Sequence, residues 1–373
     1  MRSAASRLFS SKDPFDTEKT DSLFVDAIRE NVTFHRKNCP AYREMLAARN
    51  FTPDLLTDPD SLAKLPCLPT LLFKRHHLFS ISEKKLPVRA TSSGTGGQYS
   101  RIGLDWKSLF LGSKMVLRMA HWRELLSLRP TQYFILGYEP HKGNEMAVTK
   151  TALGSTFFAP AIRRHYVLRW KDGQYAADLE SILAQLQKAA RGIFPVRFMG
   201  FPSYTYFLLK TMQERGIRCI LPRHSRIMLG GGWKAHIAQQ VDKQVLYDLI
   251  EKVLGVKQSH VVEFFGAVEH PILWTDCPAH HFHVPVYARV LIRDVQTLEP
   301  VPHGQPGLVN LLTPMIRACP LTSILTDDIG ILHDGPCSCG IRSPWLELCG
   351  RTGLQDIRTC AAGAAELLKG AVS

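Results

Sequence analysis

Hydrophobic residues along this chain switch between helical and strand spacing, and the switching predicts its elements. Residues 13–90 read as helical and amphipathic, punctuated by Pro40, Pro53, Pro59, Pro66 and Pro69. Residues 109–128 predict a helix, and 133–136 a short buried strand. Within 178–190, Leu179, Ile182, Leu183 and Leu186 share one helical face, with Asp178 placed as its N-cap. Residues 196–199 read as a strand and 203–214 as a helix closed by Gly216. The rhythm then repeats. Residues 226–229 form a strand running into three glycines, 234–254 a helix, and 260–265 a further strand.

Such alternation defines an α/β sheet, in which ligands gather at the C-terminal ends of the strands. After residue 285 the pattern changes to short β segments (286–292, 308–312 and 329–332) separated by Pro/Gly turns. The expected organisation is an α/β core over 1–285 with an N-terminal helical region. A β-rich subdomain of the same core follows over 286–349, and then a short tail over 350–373. No internal repeat is evident.

A chain of 373 residues has ample material for one large domain or two ordinary ones. Its apolar runs are strand-length, far short of the roughly 20 residues that span a bilayer, so no transmembrane segment is expected. The net charge of +13 favours anionic partners: ATP, an acidic carrier protein, a nucleic acid or a membrane surface. The basic residues are scattered, as in Arg163-Arg164-His165 and Lys84-Lys85, with no long basic block. That pattern weighs against nucleic acid. Nine cysteines, an odd number with no secretory signal, point to a reducing compartment, the cytoplasm, with the cysteines as thiols or metal ligands. Residues 1–12 carry two arginines, a lysine and no acid, a weak likeness to a transit peptide. The expectation is a frayed bacterial N-terminus.

Four short motifs carry candidate chemistry. The first, Thr91 to Ser100, packs five small hydroxyl residues and three glycines into ten positions. Glycines let backbone N–H groups approach an anion closely, and hydroxyls add donors. Ser92, Ser93, Gly94, Thr95, Gly96 and Gly97 would therefore cradle phosphates, although the same composition suits a flexible linker. It is not a Walker loop, since no Gly-Lys-Ser/Thr follows. The second motif runs from Glu263 through Phe265, Gly266 and Val268 to Glu269. An aromatic can pack on a purine, and a carboxylate beside a phosphate site can hold Mg²⁺. The third, Thr326-Asp327-Asp328, reads as paired acids in a tight turn, where Asp328 would accept hydrogen bonds from ribose hydroxyls. The fourth is Gly350-Arg351, with Arg351 as a phosphate clamp.

A separate constellation is Cys277-x₅-His283 followed by Cys337-x-Cys339. Three cysteines and a histidine in pairs suit a closed, structural Zn²⁺ site. His280 and His281 offer alternative histidines.

In this order the four motifs resemble the adenylate-forming superfamily over roughly residues 60–360. Within it the chain is most similar to the acyl-protein synthetases of bacterial luminescence, the LuxE type, and next to phenylacetate-CoA ligases. The runs Ser92 to Gly97, Gly231-Gly232-Trp233-Lys234 and Arg358-Thr359-Cys360-Ala361 carry that likeness. It implies that ATP activates a carboxylic acid, of the fatty acid class, as its acyl-adenylate. It implies further that Cys360 then takes the acyl group as a thioester, for onward passage to an acyl reductase or an acidic carrier. Gly231 and Gly232 join the nucleotide contacts by the same likeness, and phenylacetate-ligase-like proteins carry a Cys/His arrangement similar to the one above. Three departures stand out. Val268 replaces the usual threonine before the metal-site glutamate, and Ser100 replaces the usual loop lysine. The C-terminal domain that bears the family's catalytic lysine has no counterpart, which leaves Lys369 and Lys234 as candidate substitutes.

The chemistry suits these residues, because adenylation needs positioned donors and a metal to offset phosphate charge, with little covalent help from the protein. Arg351 and Arg358 would favour the Cys360 thiolate. The competing readings are an acyl- or aryl-CoA ligase using free coenzyme A, an inactive adenylate-fold binding module, and a zinc-containing nucleic-acid binder.

Overall fold

The computed structural model describes residues 2–92, 99–233 and 239–351. Cys360 and the loop residues Ser93, Gly94, Thr95, Gly96 and Gly97 lie outside them, as do Lys234, Arg358 and Lys369. The described chain divides into two compact units, one built from residues up to Met119 and from Gly266 onward, the other from Ala120 to Phe265.

The first unit begins with three helices, α1 (Ala4–Leu8), α2 (Thr17–Asn38) and α3 (Pro40–Ala47). Pro40 sits at the start of α3, where its missing N–H costs nothing. Helix α2 buries Phe24, Val25, Ile28 and Val32 on one face, the periodicity expected of an amphipathic helix. The chain then forms β1 (Leu68–Pro69), α4 (Thr70–Arg75), β2 (Val88–Thr91) and β3 (Arg101–Leu104). Helix α5 (Trp106–Trp122) follows. Its start is set by Asp105, whose carboxylate accepts from the Ser108 amide at 3.2 Å. It ends before Glu124, which adopts a left-handed φ of 56°, so the expected extension to residue 128 does not occur.

The second unit carries β4 (Thr131–Tyr138), α6 (Ala147–Ser155), β5 (Ala161–Lys171), β6 (Gln174–Ala177) and α7 (Leu179–Ala190). It continues through β7 (Val196–Gly200), α8 (Pro202–Glu214), β8 (Arg226–Gly230), α9 (Lys243–Leu254) and β9 (Val261–Ala267). These strands stand in the order β9-β8-β7-β4-β5-β6. All neighbours among the first five are parallel, and β6 is antiparallel to β5. Phe134, Phe198, Ile227 and Val261 from the central strands pack with Leu186, Leu209 and Ile250 from the helices in one buried cluster. Asp178 caps α7 by accepting from the Ser181 amide. Leu179 does not join the core; it is 38% exposed, because it occupies the first helical position, before the apolar stripe turns inward. Gly216 and Gly255, both left-handed, follow α8 and α9. Helix α9 is shorter than the 234–254 expected. Asp242 caps it, and no helix joins residues 240–242 to it.

The chain re-enters the first unit with β10 (His270–Thr275) and β11 (Phe282–His283). The strands β12 (Arg289–Arg293), β13 (Pro306–Leu312), β14 (Ser323–His333) and β15 (Trp345–Arg351) complete it. Their sheet has the order β11-β15-β14-β13-β12, antiparallel throughout, with β1 added in parallel to β14. Strand β12 begins later than the expected residue 286, because the Ala288 amide bonds Pro285 O in a turn. Helix α2 is tied to these strands. Asn31 donates to Ile316 O at 2.8 Å, and Arg289 pairs with Asp21 at 2.7 Å while lying 4.4 Å from the centre of the Phe24 ring. This explains why one unit is built from two distant stretches of chain. No helix among the described residues is long and apolar enough to cross a membrane.

Candidate active site

The Gly/Ser run joins the antiparallel pair β2–β3, whose last registered partners are Thr91 and Arg101. Its neck is closed by two hydrogen bonds. The Ser92 amide donates to Ser100 O at 3.1 Å, and the Ser100 amide donates to the Ser92 hydroxyl at 2.9 Å. Ser92 thus fixes the base of the loop rather than pointing away from it.

Glu269 occupies the turn between β9 and β10 and is only 5% exposed. Burial pushes its carboxyl above the usual range, against the nearby Ser100 hydroxyl and the charges of Lys74 and Arg351. The carboxyl thus lies buried at the neck of the glycine-rich loop, within the field of two cations.

Asp327 and Asp328 do not form a tight turn; they lie within strand β14. Leu325 pairs with Asn310 and Ile329 with Leu308, so Thr326, Asp327 and Asp328 together oppose the single residue Val309. This bulge re-aims side chains in mid-strand, which reconciles the turn-like acid pair with a continuous strand. Thr326 stabilises it by donating to Val309 O at 3.1 Å and accepting from the Asp328 amide at 3.2 Å. Thr70, the first residue of α4, donates to Asp327 at 3.3 Å. Across the strand, Asp328 is registered with Arg351, and their side chains meet at 3.2 Å.

The second cluster joins Cys277, His283, Cys337 and Cys339, whose ligand atoms all lie within 4.8 Å of one another. The Cys277 and Cys337 sulfurs are 3.8 Å apart, and Cys339 Sγ is 3.4 Å from His283 Nε2. Tetrahedral zinc with bonds of about 2.3 Å to sulfur and 2.0–2.1 Å to nitrogen requires separations of about 3.8 Å and 3.5 Å. The donor set therefore fits Zn²⁺. His283 Nδ1 donates to Ser343 O at 2.9 Å, which leaves Nε2 facing the cysteines, the outer-shell arrangement of a metal-bound imidazole. The Ala279 amide points at Cys277 Sγ at 3.3 Å, and burial pushes the Cys277 thiol up to about 12. A cation in the cluster would offset that cost. Of the alternative histidines, His280 pairs with Asp276 at 2.5 Å. His281 stacks on Trp345 at 3.9 Å, with Nδ1 3.3 Å from Cys337 Sγ.

The remaining candidates belong to the second unit or to its boundary with the first. Gly231 and Gly232 follow β8 with φ of 84° and 67°, conformations that a side chain would strain. Phe265 closes the second unit's stretch of β9 and Gly266 opens the first unit's. Lys74 and Thr70 were not evident as site residues in the sequence. They reach the site because β1 pairs with β14 at Leu68–Ile324 and Pro69–Leu325, which delivers α4 to the bulge.

The architecture is that of the adenylate-forming enzymes. Crystal structures of 2-hydroxyisobutyryl-CoA ligase in complex with 2-HIB-AMP share the fold. One gives a TM-score of 0.68 at 15% identity, covering 91% of this chain and 69% of that one. An open conformation with CoA also bound gives 0.68 at 16%, covering 93% and 78%. The sequence matches the family "Acyl-protein synthetase, LuxE" over residues 3–369, and the chain belongs to that family; it is an acyl-adenylating ligase. It is 25% identical over 359 residues to a long-chain-fatty-acid–luciferin-component ligase of Aliivibrio fischeri, covering 92% of this chain and 88% of the relative. The corresponding Vibrio harveyi ligase is 26% identical over 286 residues, covering 74% and 71%. A phenylacetate-coenzyme A ligase of Thermus thermophilus is 24% identical over 335 residues, covering 87% and 68%.

Proposed function

We propose that this enzyme converts a long-chain fatty acid and ATP into acyl-adenylate and pyrophosphate, and then transfers the acyl group to its own Cys360 as a thioester with release of AMP. The observation that carries the reading is the convergence of Glu269, Lys74, Asp328 and Arg351 beside the neck of the glycine-rich loop. The two luciferin-component ligases named above act on long-chain fatty acids by name, which supports that substrate class here.

In this reading the loop residues Ser92 to Gly97 and Arg351 hold phosphate oxygens, with Gly231, Gly232, Phe265 and Gly266 around the nucleotide. Asp328 accepts from the ribose hydroxyls while steadying Arg351. Glu269 holds Mg²⁺, which would offset negative charge on the phosphates. The four Cys/His ligands hold a structural Zn²⁺ and leave no open position for catalysis. The net charge of +13 suits an acidic carrier or an acyl reductase as the next acceptor. The many thiols favour the reducing cytoplasm.

A second reading replaces Cys360 with free coenzyme A as acceptor, and the similarity to phenylacetate-coenzyme A ligase favours it. One experiment tests both. The full chain is incubated with ATP, Mg²⁺ and carboxylic acids from acetate to palmitate and aryl acids, followed by pyrophosphate exchange and intact-mass measurement. Exchange with a long-chain acid, together with a hydroxylamine-labile acyl adduct on the protein, is the expected result. Turnover with coenzyme A and no adduct selects the second reading, and no exchange with any acid overturns both.

A further inference from the structure

The adenylation reading leaves Arg163-Arg164-His165 without a role. In the second unit these residues line a cavity of about 340 Å³ with Glu139, Tyr166 and Arg169, and with Ser181, Ile182 and Gln185 of α7. That volume lies within the range of small-molecule sites. Strand period accounts for three of these residues, whereas Arg164 and Tyr166 belong to the opposite parity. Arg163, His165 and Arg169 alternate along one face of β5, and the intervening Val167 is buried in the core.

Each cation stands differently. Arg164 donates through Nε to the Thr156 hydroxyl at 2.8 Å. Arg163 and Arg169 have no hydrogen bond or ion pair among the described residues, and both are exposed. Surface arginines often need no partner, but these share a concave wall with a buried polar atom that does need one. His165 stacks on Phe134 at 4.7 Å, and its Nε2 is buried without a hydrogen-bond partner. Such atoms are uncommon. Ser181 and Gln185 add a hydroxyl and an amide on the first turns of α7. Glu139 is the one carboxylate in the lining, and it is occupied in accepting from the Trp170 amide at 3.0 Å. The guanidinium groups of Arg163 and Arg169 against one carboxylate leave the wall positive.

We propose that this cavity binds the phosphate group of a small molecule, through residues other than those assigned to adenylation. The donors outnumber what a carboxylate would use. Planar guanidinium forks, by contrast, match the several oxygens of a phosphate dianion. The concave wall, set between a strand and a helix turn, suits a compact oxyanion. The inference does not depend on the acyl-transfer reading.

The test is calorimetric titration of the full chain with inorganic pyrophosphate and, separately, with adenosine 3′,5′-bisphosphate. The same titrations are made on the double variant Arg163→Gln/Arg169→Gln and on Glu269→Gln. Binding of either probe that weakens at least tenfold in the double variant and persists in Glu269→Gln supports the proposal. The probe that binds identifies an inorganic or an organic phosphate as the source. Should the double variant fail to fold by circular dichroism, Arg169→Gln alone serves in its place. No binding of either probe at millimolar concentration overturns the site, as does binding indifferent to the arginines. Binding lost only in Glu269→Gln assigns the phosphate to the adenylation residues and also overturns it.

Discussion

Asp328 and Arg351 face each other across β14 and β15, and their side chains meet at 3.2 Å. The arginine is 55% exposed, so the pair adds little to stability; exposed ion pairs contribute about 0–1 kcal/mol. Its value is in placement, since it holds a guanidinium at the edge of the site. Asp328→Ala is therefore expected to raise the KM for ATP at least tenfold, about 1.4 kcal/mol of binding, while the melting temperature barely moves. A large fall in melting temperature with unchanged KM would make the pair structural.

Glu269→Gln keeps the shape of the side chain and removes its charge. Carboxylate-dependent ATP–pyrophosphate exchange should fall at least tenfold, about 1.4 kcal/mol of barrier. Extra Mg²⁺ should restore part of the rate. An unchanged rate at limiting Mg²⁺ would show that another group holds the cation.

Purified protein should contain one zinc per chain, held by Cys277, His283, Cys337 and Cys339. Cys337→Ser should lower both zinc content and melting temperature, because structural zinc contributes folding energy directly. Substoichiometric zinc that does not change in the variant rules the site out.

After turnover with ATP and a fatty acid, Cys360 should carry a hydroxylamine-labile thioester, since a thiolate is a strong nucleophile near neutral pH. Cys360→Ser should abolish the adduct and retain pyrophosphate exchange. Loss of both would point to a structural role. Labelling that persists would move the nucleophile, first to Cys349, which is exposed on β15.

His35 is buried between the Ser80 hydroxyl at 2.7 Å and Ile316 O at 3.1 Å, and burial lowers its pKa from 6.5 to about 4. The unfolded chain takes up this proton first as the pH falls. The folded state therefore holds its full advantage above pH 6.5 and loses it progressively down to about pH 4. The loss is on the order of 3 kcal/mol. Urea unfolding of His35→Gln should show a flatter dependence across that window; an unaltered slope would mean that other groups govern it.

The parts of this fold written in local pattern could be read from the sequence. Helix α7 was legible because Ile182, Leu183 and Leu186 repeat at helical spacing behind a capping aspartate. The clustering of Cys277, His283, Cys337 and Cys339 was legible because they fall in two close pairs along the chain. The choice among His280, His281 and His283 was not, since Ser343 O decides it from sixty residues away. Nor was the bulge at Asp328, which depends on register with β13. Strand β5 leaves little trace in the sequence, because its exposed Arg and Trp positions hide the alternation and only Val167 and Leu168 are buried. Lys74 gave no local signal, as its place is set by a pairing between residues more than 250 positions apart.

Strand β15 ends at Arg351, and Cys360 follows nine residues later in the sequence. Covalent geometry alone holds the two within about 30 Å. A thiol confined to a sphere of that radius has an effective concentration on the order of ten millimolar. For the proposed acceptor, acyl capture would then be a first-order event within one molecule. Its rate would not change on dilution of the enzyme, and a reactive anhydride formed beside Arg351 would meet a tethered thiol without waiting for a second protein to arrive.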